Sequence, residues 1–464
     1  MATEKFYKIV VQKFGGTSVQ DAASMTRVME IVEQTAINDR ARPLVVLSAA
    51  AGVTNALIRV GELSLKEETT EALAEIEALQ ARHLSIVSDL RIVKEKHEVE
   101  KALKHIFDDL RRLVKGVNLL REITPKSKDQ FQSAGERCST LIFAAAFRER
   151  LAKRRIAVDL LDSREFFLTT DEHNLARPIL SEIGKRIRKH EHRIAKGAVA
   201  VAQGFIGATA EGVTTTIGRG GSDFSAAIMG VAAKAEEIQI WTDVAGILTC
   251  DPRLVKGAYP LKEVTFEDAS ALAFFGAKVL HPETVWPAVE AGIPVRVLSS
   301  KEPEKPGTLI LGEVAKRPPL TGLALKRNVT SVRVVSKSTL PDPRIQLMVW
   351  EGLTQAKVVP LAVSFSADSA IYVLDDLKAL QDIRSEIEQF AQVDIDTSRA
   401  LLTIVGPALR EQAGIASRLF GALGDINCEM ISYGGSASTV SLIVSDEQAE
   451  PATRKLHDAF FAKR

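Results

Sequence analysis

Five short apolar runs, separated by long segments of helical periodicity, constrain the fold of the first two thirds of the chain. They begin at residues 7, 43, 198, 237 and 293 and read YKIVVQKF, PLVVLSAA, AVAVAQGFI, EIQIWTDV and IPVRVLSS. Continuous apolar runs are typical of parallel strands that helices cover on both faces. The pattern predicts an α/β domain over residues 1–310, with a mainly parallel sheet sandwiched by helices. A charged segment of helical rhythm, residues 71–120, predicts a pair of helices within it.

The C-terminal third of the chain contains a weak internal repeat. Residues 369–380, SAIYVLDDLKAL, and 438–449, STVSLIVSDEQA, each run from an apolar strand through an acidic pair into a helix. An alternative is that the acidic residues only cap helices, but the recurring order favours a repeat. We therefore predict a region 311–464 with two small βαββαβ units, at about 325–395 and 400–464, which could be intertwined.

Composition excludes several classes of function. The 464 residues include 60 basic and 59 acidic side chains, so neither a nucleic-acid-coating nor a membrane-binding surface is indicated. The three cysteines are far apart without metal-like spacing, which indicates buried thiols in a reducing compartment. No apolar stretch has the length of a signal peptide or a membrane span. We expect a cytoplasmic protein without nucleic-acid or membrane partners.

The loop after the first strand has the residue types of an anion site. It contains Lys13, Gly15, Gly16, Thr17 and Ser18. Glycines let the backbone approach a bulky anion with its N–H groups, and the following helix directs its positive end to the same place. Because the lysine precedes the glycines, this is not a Walker A loop. Taken alone, it could be an ordinary strand–turn–helix with a surface lysine.

A second glycine-rich loop, TTTIGRGGSDFSAA at residues 214–227, again opens a helix. Its candidate residues are Arg219, Gly220, Gly221, Ser222 and Asp223. The arginine can hold a carboxylate or phosphate through two parallel hydrogen bonds, and Ser222 is expected to cap the helix. Asp223 either complements the helix dipole or orients Lys13. The spacing is not that of a dinucleotide fingerprint.

Other polar positions are less specific. Ser48 and Thr54 follow the second strand among small residues, which suits a pocket floor or a plain turn. Glu136 is expected at the head of an apolar helix, where an acidic residue more often serves the helix itself. Further candidates are Thr242, Asp243, Arg253 and Lys278.

Six segments in this order resemble the signature blocks of aspartate kinases, members of the amino-acid kinase fold. They read KFGGTSV, VVLSAAAGVTN, SAGERCST, TTTIGRGGSD, WTDVAGILTCDPR and FGAKVLHP. The C-terminal repeat resembles the paired ACT domains of that family, so the resemblance covers the whole chain. It is closest to the monofunctional, lysine-sensitive class, and no fused homoserine dehydrogenase is expected.

The resemblance implies ATP-dependent phosphorylation of the β-carboxylate of L-aspartate to 4-phospho-L-aspartate, the first step toward lysine, threonine and methionine. An ionised carboxylate acceptor needs no general base, and the transfer needs mainly positioning and positive charge. Lys13 would be catalytic and Asp223 would organise it, while Glu136 and Arg219 would hold the ammonium and the α-carboxylate. The rest of the implied substrate site is Ser48, Thr54, Gly220, Gly221 and Ser222. The implied nucleotide site is Gly15, Gly16, Thr17, Ser18, Thr242, Asp243, Leu248, Arg253, Lys278 and Val279.

The resemblance also implies Mg²⁺ on the nucleotide phosphates, no metal site built by the protein alone, an amino-acid effector, and a homodimer formed through the ACT-like units. Three positions depart from the family. Leu248 stands where many relatives carry an aromatic residue against the nucleotide. Arg344 stands where a glycine is expected, and Pro360 where an acidic effector ligand would align. We expect feedback by lysine to be lost or altered.

Two other functions remain open at this point. One is a different amino-acid kinase, acting on glutamate or a related acid. The other is a catalytically silent sensor built on the same fold, which should have lost the charged residues of the site. Those residues are retained, which argues against the silent sensor.

Overall fold

A computed structural model of the chain describes residues 8–37, 41–66, 68–195, 198–218, 220–276, 284–315, 318–338, 343–375, 384–407 and 409–461. The chain forms two compact units. The first comprises Met1–Gly246 and Glu283–Gly312, and the second Ile247–Pro282 and Glu313–Arg464. No helix in the described part of the chain is both long and apolar enough to cross a membrane.

The described strands are β1 (Ile9–Phe14), β2 (Arg42–Leu47), β3 (Val158–Leu161), β4 (Val199–Gln203), β5 (Ile206–Ala208), β6 (Thr214–Thr216), β7 (Glu237–Thr242), β8 (Glu263–Thr265), β9 (Val295–Ser299), β10 (Thr308–Leu311), β11 (Gly322–Ser336), β12 (Ala362–Phe365), β13 (Ser369–Leu374), β14 (Ala391–Val405), β15 (Met430–Ser432) and β16 (Thr439–Ser445).

The described helices are α1 (Ala22–Ile37), α2 (Val53–Leu63), α3 (Thr70–Asp89), α4 (Lys96–Leu120), α5 (Pro125–Leu151), α6 (Ser163–Phe166), α7 (Leu180–Ala195), α8 (Gly221–Ala232), α9 (Phe266–Phe274), α10 (Trp286–Glu290), α11 (Pro343–Gln355), α12 (Arg384–Phe390), α13 (Ile415–Leu423) and α14 (Asp446–Phe461).

The first unit contains the predicted parallel sheet, with strand order β3-β4-β2-β1-β7-β9-β10. All neighbours are parallel except β10, which runs antiparallel to β9. The central strand β1 pairs with both β2 and β7, and Phe14 lies beside Leu47 and Trp241. The loops after these three strands therefore leave the same edge of the sheet, which is where ligands bind in open α/β sheets.

Long helices cover this sheet. The predicted helical pair is present as α3 and α4, whose apolar faces join one core cluster with α5. Helix α5 has 27 residues and begins with Pro125, after Thr124 accepts a hydrogen bond from the Ser127 N–H at 3.1 Å. A threonine cap followed by proline is a strong start signal. The buried face of α5 carries Phe131, Phe143 and other apolar side chains.

The second unit contains a six-stranded antiparallel sheet with strand order β12-β13-β11-β14-β16-β15. Its two central strands, β11 and β14, have 15 residues each and pair along most of their length, with register shifts between Lys326 and Ser331. Strand β13 pairs with the later half of β11, and β16 with the later half of β14. Both copies of the predicted repeat thus contribute strands to one sheet, whose two long central strands pair with each other.

A segment from the middle of the sequence, Ile247–Pro282, belongs to this second unit. The Leu323 N–H donates to the Thr249 carbonyl oxygen at 2.7 Å, and the Thr321 hydroxyl donates to buried Asp268 at 2.8 Å. Cys250 and Val255 enter the same apolar core as the start of β11 and helix α14. The sequence pattern does not show that this middle segment belongs with the C-terminal unit. The domain boundary between residues 310 and 311 stays a prediction.

Candidate active site

The side chain at the end of β1 is a buried cation with a fixed partner. Lys13 Nζ lies 2.5 Å from Asp223 Oδ1, and their side chains are only 11% and 16% exposed. Asp223 is in the first turn of α8, so the ion pair joins the sheet to the second glycine-rich loop. A buried ion pair fixes the geometry of its members more than it stabilises the fold. This contact is the one expected if Asp223 orients Lys13, and that role stays a prediction.

The loop after Lys13 packs tightly against the loop after β2. A Cβ atom at Gly16 would lie 2.9 Å from the Ala49 carbonyl oxygen, and the Ala51 N–H donates to the Gly16 carbonyl at 3.0 Å. The Gly15 N–H donates to the Trp241 carbonyl oxygen at 3.3 Å. The expectation that the Gly15 amide points at an anion is therefore wrong here, because a neighbouring strand already uses it.

The second loop needs its glycines for backbone geometry. Gly218 and Gly220 have φ of 80° and 72°, a region that side chains disfavour. Helix α8 begins at Gly221 with Gly220 at its N-cap and without a side-chain cap, so the expected cap by Ser222 is wrong. Ser222 instead packs closely against Gly204. A Cβ atom added at Gly204 would lie 2.7 Å from the Ser222 Cβ. Arg219 lies outside the described residues.

Glu136 is the most perturbed carboxyl group near these loops. It lies in the middle of α5, not at a helix start, so its expected service to a helix dipole is wrong. It is 3% exposed, and burial raises its pKa to about 8 although backbone donors, first among them the Ala49 N–H, oppose the rise. Among the described residues, its Oε2 has no hydrogen-bond partner. A buried carboxyl group with an open acceptor is suited to a cationic ligand group.

Close packing places Glu136 beside the remaining substrate candidates. A Cβ atom at Gly135 would lie 2.6 Å from the Ala49 Cβ, and the Ser139 hydroxyl donates to the Ser48 carbonyl oxygen at 2.7 Å. Half-buried Thr54 is in the first turn of α2, the helix that follows the same loop. The structure thus brings together the loops after β1 and β2 and the middle of α5.

On the other side of β1, the predicted nucleotide residues Ser18 and Thr242 are joined through a residue that the sequence analysis missed. The Ser18 and Ser300 hydroxyls are 2.8 Å apart, and the Ser300 N–H donates to the Thr242 carbonyl oxygen at 2.8 Å. Ser300 directly follows β9, and its position after a predicted strand was the available signal. Thr17 and Asp243 are exposed at this edge.

Two predicted nucleotide residues belong to the second unit. Leu248 is half-buried and forms a β-bridge with Pro260. Arg253 forms an exposed ion pair with Asp251 at 2.6 Å. The last two candidates, Lys278 and Val279, lie outside the described residues.

Phe205 is a strained residue that the sequence analysis also missed. Its φ is 66°, unusual for an aromatic residue, and its N–H donates to the Ser225 hydroxyl at 2.9 Å. A Cβ atom at Gly221 would lie 2.7 Å from its ring. The strain lies next to the start of α8, and nothing in the letters QGFIG signals it.

Within the described ranges, no group of three or more His, Cys, Asp or Glu side chains could hold a metal ion.

Comparisons with known proteins identify the family of the chain. Residues 8–299 match the model of the amino acid kinase family, and residues 402–460 match an ACT domain. The lysine-sensitive aspartokinase 3 of Escherichia coli K12 is 34% identical over 467 residues, which cover 98% of this chain and 99% of that protein. Crystal structures of E. coli aspartokinase III match with 33% identity, over 98% of this chain. The complex with aspartate and ADP, an R-state, has a TM-score of 0.81, and the match covers 100% of that chain. The complex with lysine and aspartate, a T-state, has a TM-score of 0.84 and is covered over 99%. The chain belongs to the amino acid kinase family and, within it, to the aspartokinases.

Proposed function

We propose that the chain transfers the γ-phosphoryl group of ATP to the β-carboxylate of L-aspartate and forms 4-phospho-L-aspartate, the first step toward lysine, threonine and methionine. The observation that carries this proposal is the buried ion pair of Lys13 and Asp223 at 2.5 Å, at the edge where three loops leave the sheet. The E. coli relative whose structure contains aspartate and ADP supports the same reaction.

Lys13 supplies a positive charge that is already in place before the substrates bind. Because Asp223 holds its ammonium group, little reorganisation is needed when negative charge spreads over the migrating phosphoryl group. The acceptor carboxylate is ionised at neutral pH, so proton abstraction is not required. The close approach at Gly16 holds the loop after Lys13 against the loop after β2. Mg²⁺, when bound, neutralises charge on the nucleotide phosphates.

Glu136 is the residue that we assign to the ammonium group of aspartate. Its burial, its open Oε2 and its position beside the loop with Ser48 support this role. Thr54 and Ser222 complete the pocket in this proposal, and Arg219 takes the α-carboxylate. Ser18 and Thr242 contact the nucleotide, with Ser300 holding the two together.

The wider organisation is part of the same proposal. We assign residues 1–310 to catalysis and 311–464 to regulation, with a homodimer formed through the ACT-like units. A cytoplasmic location fits the three free cysteines, of which Cys138 and Cys250 are buried. The lysine-bound T-state of the E. coli relative supports an amino-acid effector, which we assign to the ACT-like units. Arg344 and Pro360 lead us to propose that lysine acts weakly or not at all here.

An acceptor panel tests the proposed reaction. Purified protein with ATP and Mg²⁺ is assayed for ADP release with L-aspartate, L-glutamate, N-acetylglutamate or no acceptor. We expect turnover with aspartate and only background with the others. Turnover with glutamate alone would favour a different amino-acid kinase, and background with every acceptor would favour the silent sensor.

A further inference from the structure

Helix α5 carries a second buried carboxyl group that the proposed reaction does not use. Asp129 is fully buried, and three neighbours contact its oxygens. The Thr216 hydroxyl lies 2.5 Å and the Asn174 N–H 3.0 Å from Oδ1, while His173 Nδ1 lies 2.5 Å from Oδ2. Burial raises the pKa of Asp129, although the hydrogen bonds oppose the rise. So many short hydrogen bonds fix the two oxygens firmly.

These contacts link Asp129 to both parts of the substrate site. Asp129 and Glu136 are two helical turns apart, so they lie on the same face of α5. Thr216 is the last residue of β6, two positions before Gly218, the first glycine of the second glycine-rich loop. The Asp129 carboxylate therefore links α5, the helix that carries Glu136, to β6, the strand that leads into the second glycine-rich loop.

The segment that contains His173 also reaches the glycine-rich loop directly. The Ala176 N–H donates to the Thr216 carbonyl oxygen at 3.0 Å. A Cβ atom at Gly218 would lie 2.9 Å from Leu175 Cδ2 and 3.4 Å from the Asn174 carbonyl oxygen. Residues 169–178 are closed at their base by a bridge between Thr169 and Pro178. Residues 169–178, which we call the clip, thus pack against Gly218, and hydrogen bonds to Asp129 hold the clip in place.

We propose that Asp129 and His173 are positioning residues for the acceptor substrate, because together they fix Gly218 and the end of β6 relative to the helix that carries Glu136. The inference rests on the proposed function, since it assigns the second glycine-rich loop and Glu136 to aspartate. His173 donates its Nδ1–H to the carboxylate and keeps the clip closed. When this donor is lost, the loop should hold the acceptor less well, while the Lys13 and Gly16 region is left in place.

The test is a set of variants assayed for the KM of both substrates. His173→Ala should raise the KM for aspartate about 10-fold, the effect of losing one hydrogen bond to a charged group, with little change in the KM for ATP. His173→Asn should restore most of the loss, because its amide nitrogen can occupy the place of Nδ1. Asp129→Asn keeps the shape of the side chain but replaces one acceptor oxygen by a donor. It should raise the KM for aspartate at least as much as His173→Ala does. His105→Ala is the control, since it removes an exposed pair with Asp109 on α4.

The outcomes separate the inference from the proposed function. An unchanged KM for aspartate in His173→Ala would overturn the positioning role. So would equal rises of both KM values with a lower melting temperature and no rescue by His173→Asn, which is the result of a merely structural contact. If the parent protein shows no aspartate-dependent turnover, the proposed function itself fails.

Discussion

Replacing Glu136 by glutamine removes a buried carboxyl group whose pKa burial raises to about 8. Below pH 4.5, the ordinary value, the group is protonated in both the folded and the unfolded chain. Between pH 4.5 and about 8 the unfolded chain has released this proton and the folded protein still holds it, so the free energy of unfolding falls as pH rises. The whole difference corresponds to about 5 kcal/mol.

Chemical denaturation at pH 5 and pH 9 measures this contribution. We expect the parent protein to lose about 4 kcal/mol more than Glu136→Gln between these two pH values, because only the interval from pH 5 to about 8 is sampled. Glutamine keeps an oxygen that can accept from the Ala49 N–H, so the pocket retains its shape. Glu71→Gln is the control, because Glu71 is an exposed residue of α3 paired with Lys66 at 2.6 Å. Identical pH dependence in the parent and Glu136→Gln would contradict the raised pKa of Glu136.

The same titration should appear in substrate binding. If Glu136 holds the ammonium of aspartate, it must release its proton on binding, and the KM for aspartate should fall as pH rises from 6 to about 8, where the pKa lies. The slope should approach about tenfold per pH unit. Glu136→Gln should have a KM about 30- to 150-fold higher at pH 8, from about 2–3 kcal/mol for a hydrogen bond between charged groups, and no slope. A flat KM in the parent would contradict the assignment.

Three further predictions concern other parts of the molecule. Lys13→Ala should lower turnover by about two to three orders of magnitude, the effect of losing a preorganised transition-state donor. Lys8→Ala, which removes an exposed pair with Glu236 just before the same strand, should not. Near-normal turnover in Lys13→Ala would move the role elsewhere. Gly16→Ala should cost about 1–3 kcal/mol of stability and most of the activity, because its Cβ would meet backbone of the neighbouring loop at 2.9 Å. The control Gly116→Ala, in α4 with open space around it, should be neutral or stabilising in thermal denaturation. Millimolar lysine should leave turnover nearly unchanged, since Arg344 places a bulky cation in the first turn of α11; tight lysine binding by calorimetry would contradict this.

Short sequence patterns predicted those secondary-structure elements whose burial shows directly in the residue types. The strands of the parallel sheet were predictable because they are buried on both faces and so read as unbroken apolar runs. The partnership of Lys13 and Asp223 was one of two open readings, since the letters alone cannot distinguish a helix-dipole residue from an ion-pair partner.

Three features were not predicted: one because a cap signal was overlooked, and two because they depend on contacts between residues far apart in the chain. Glu136 was placed at the head of an apolar helix, yet α5 begins at Pro125 with Thr124 as its cap, a signal that was present in the sequence. The assignment of Ile247–Pro282 to the second unit depends on hydrogen bonds such as that between Thr249 and Leu323, far apart in the chain. The strain at Phe205 likewise arises from tertiary packing against Gly221.

Trapping of the acyl phosphate tests the central claim most directly. The purified chain is incubated with ATP, Mg²⁺, L-aspartate and hydroxylamine, and the hydroxamate is identified by mass spectrometry against authentic α- and β-aspartyl hydroxamates. Our account predicts β-aspartyl hydroxamate that depends on both ATP and aspartate and is nearly lost in Lys13→Ala. ATP consumption without any hydroxamate, or the α-isomer alone, would contradict phosphoryl transfer to the β-carboxylate.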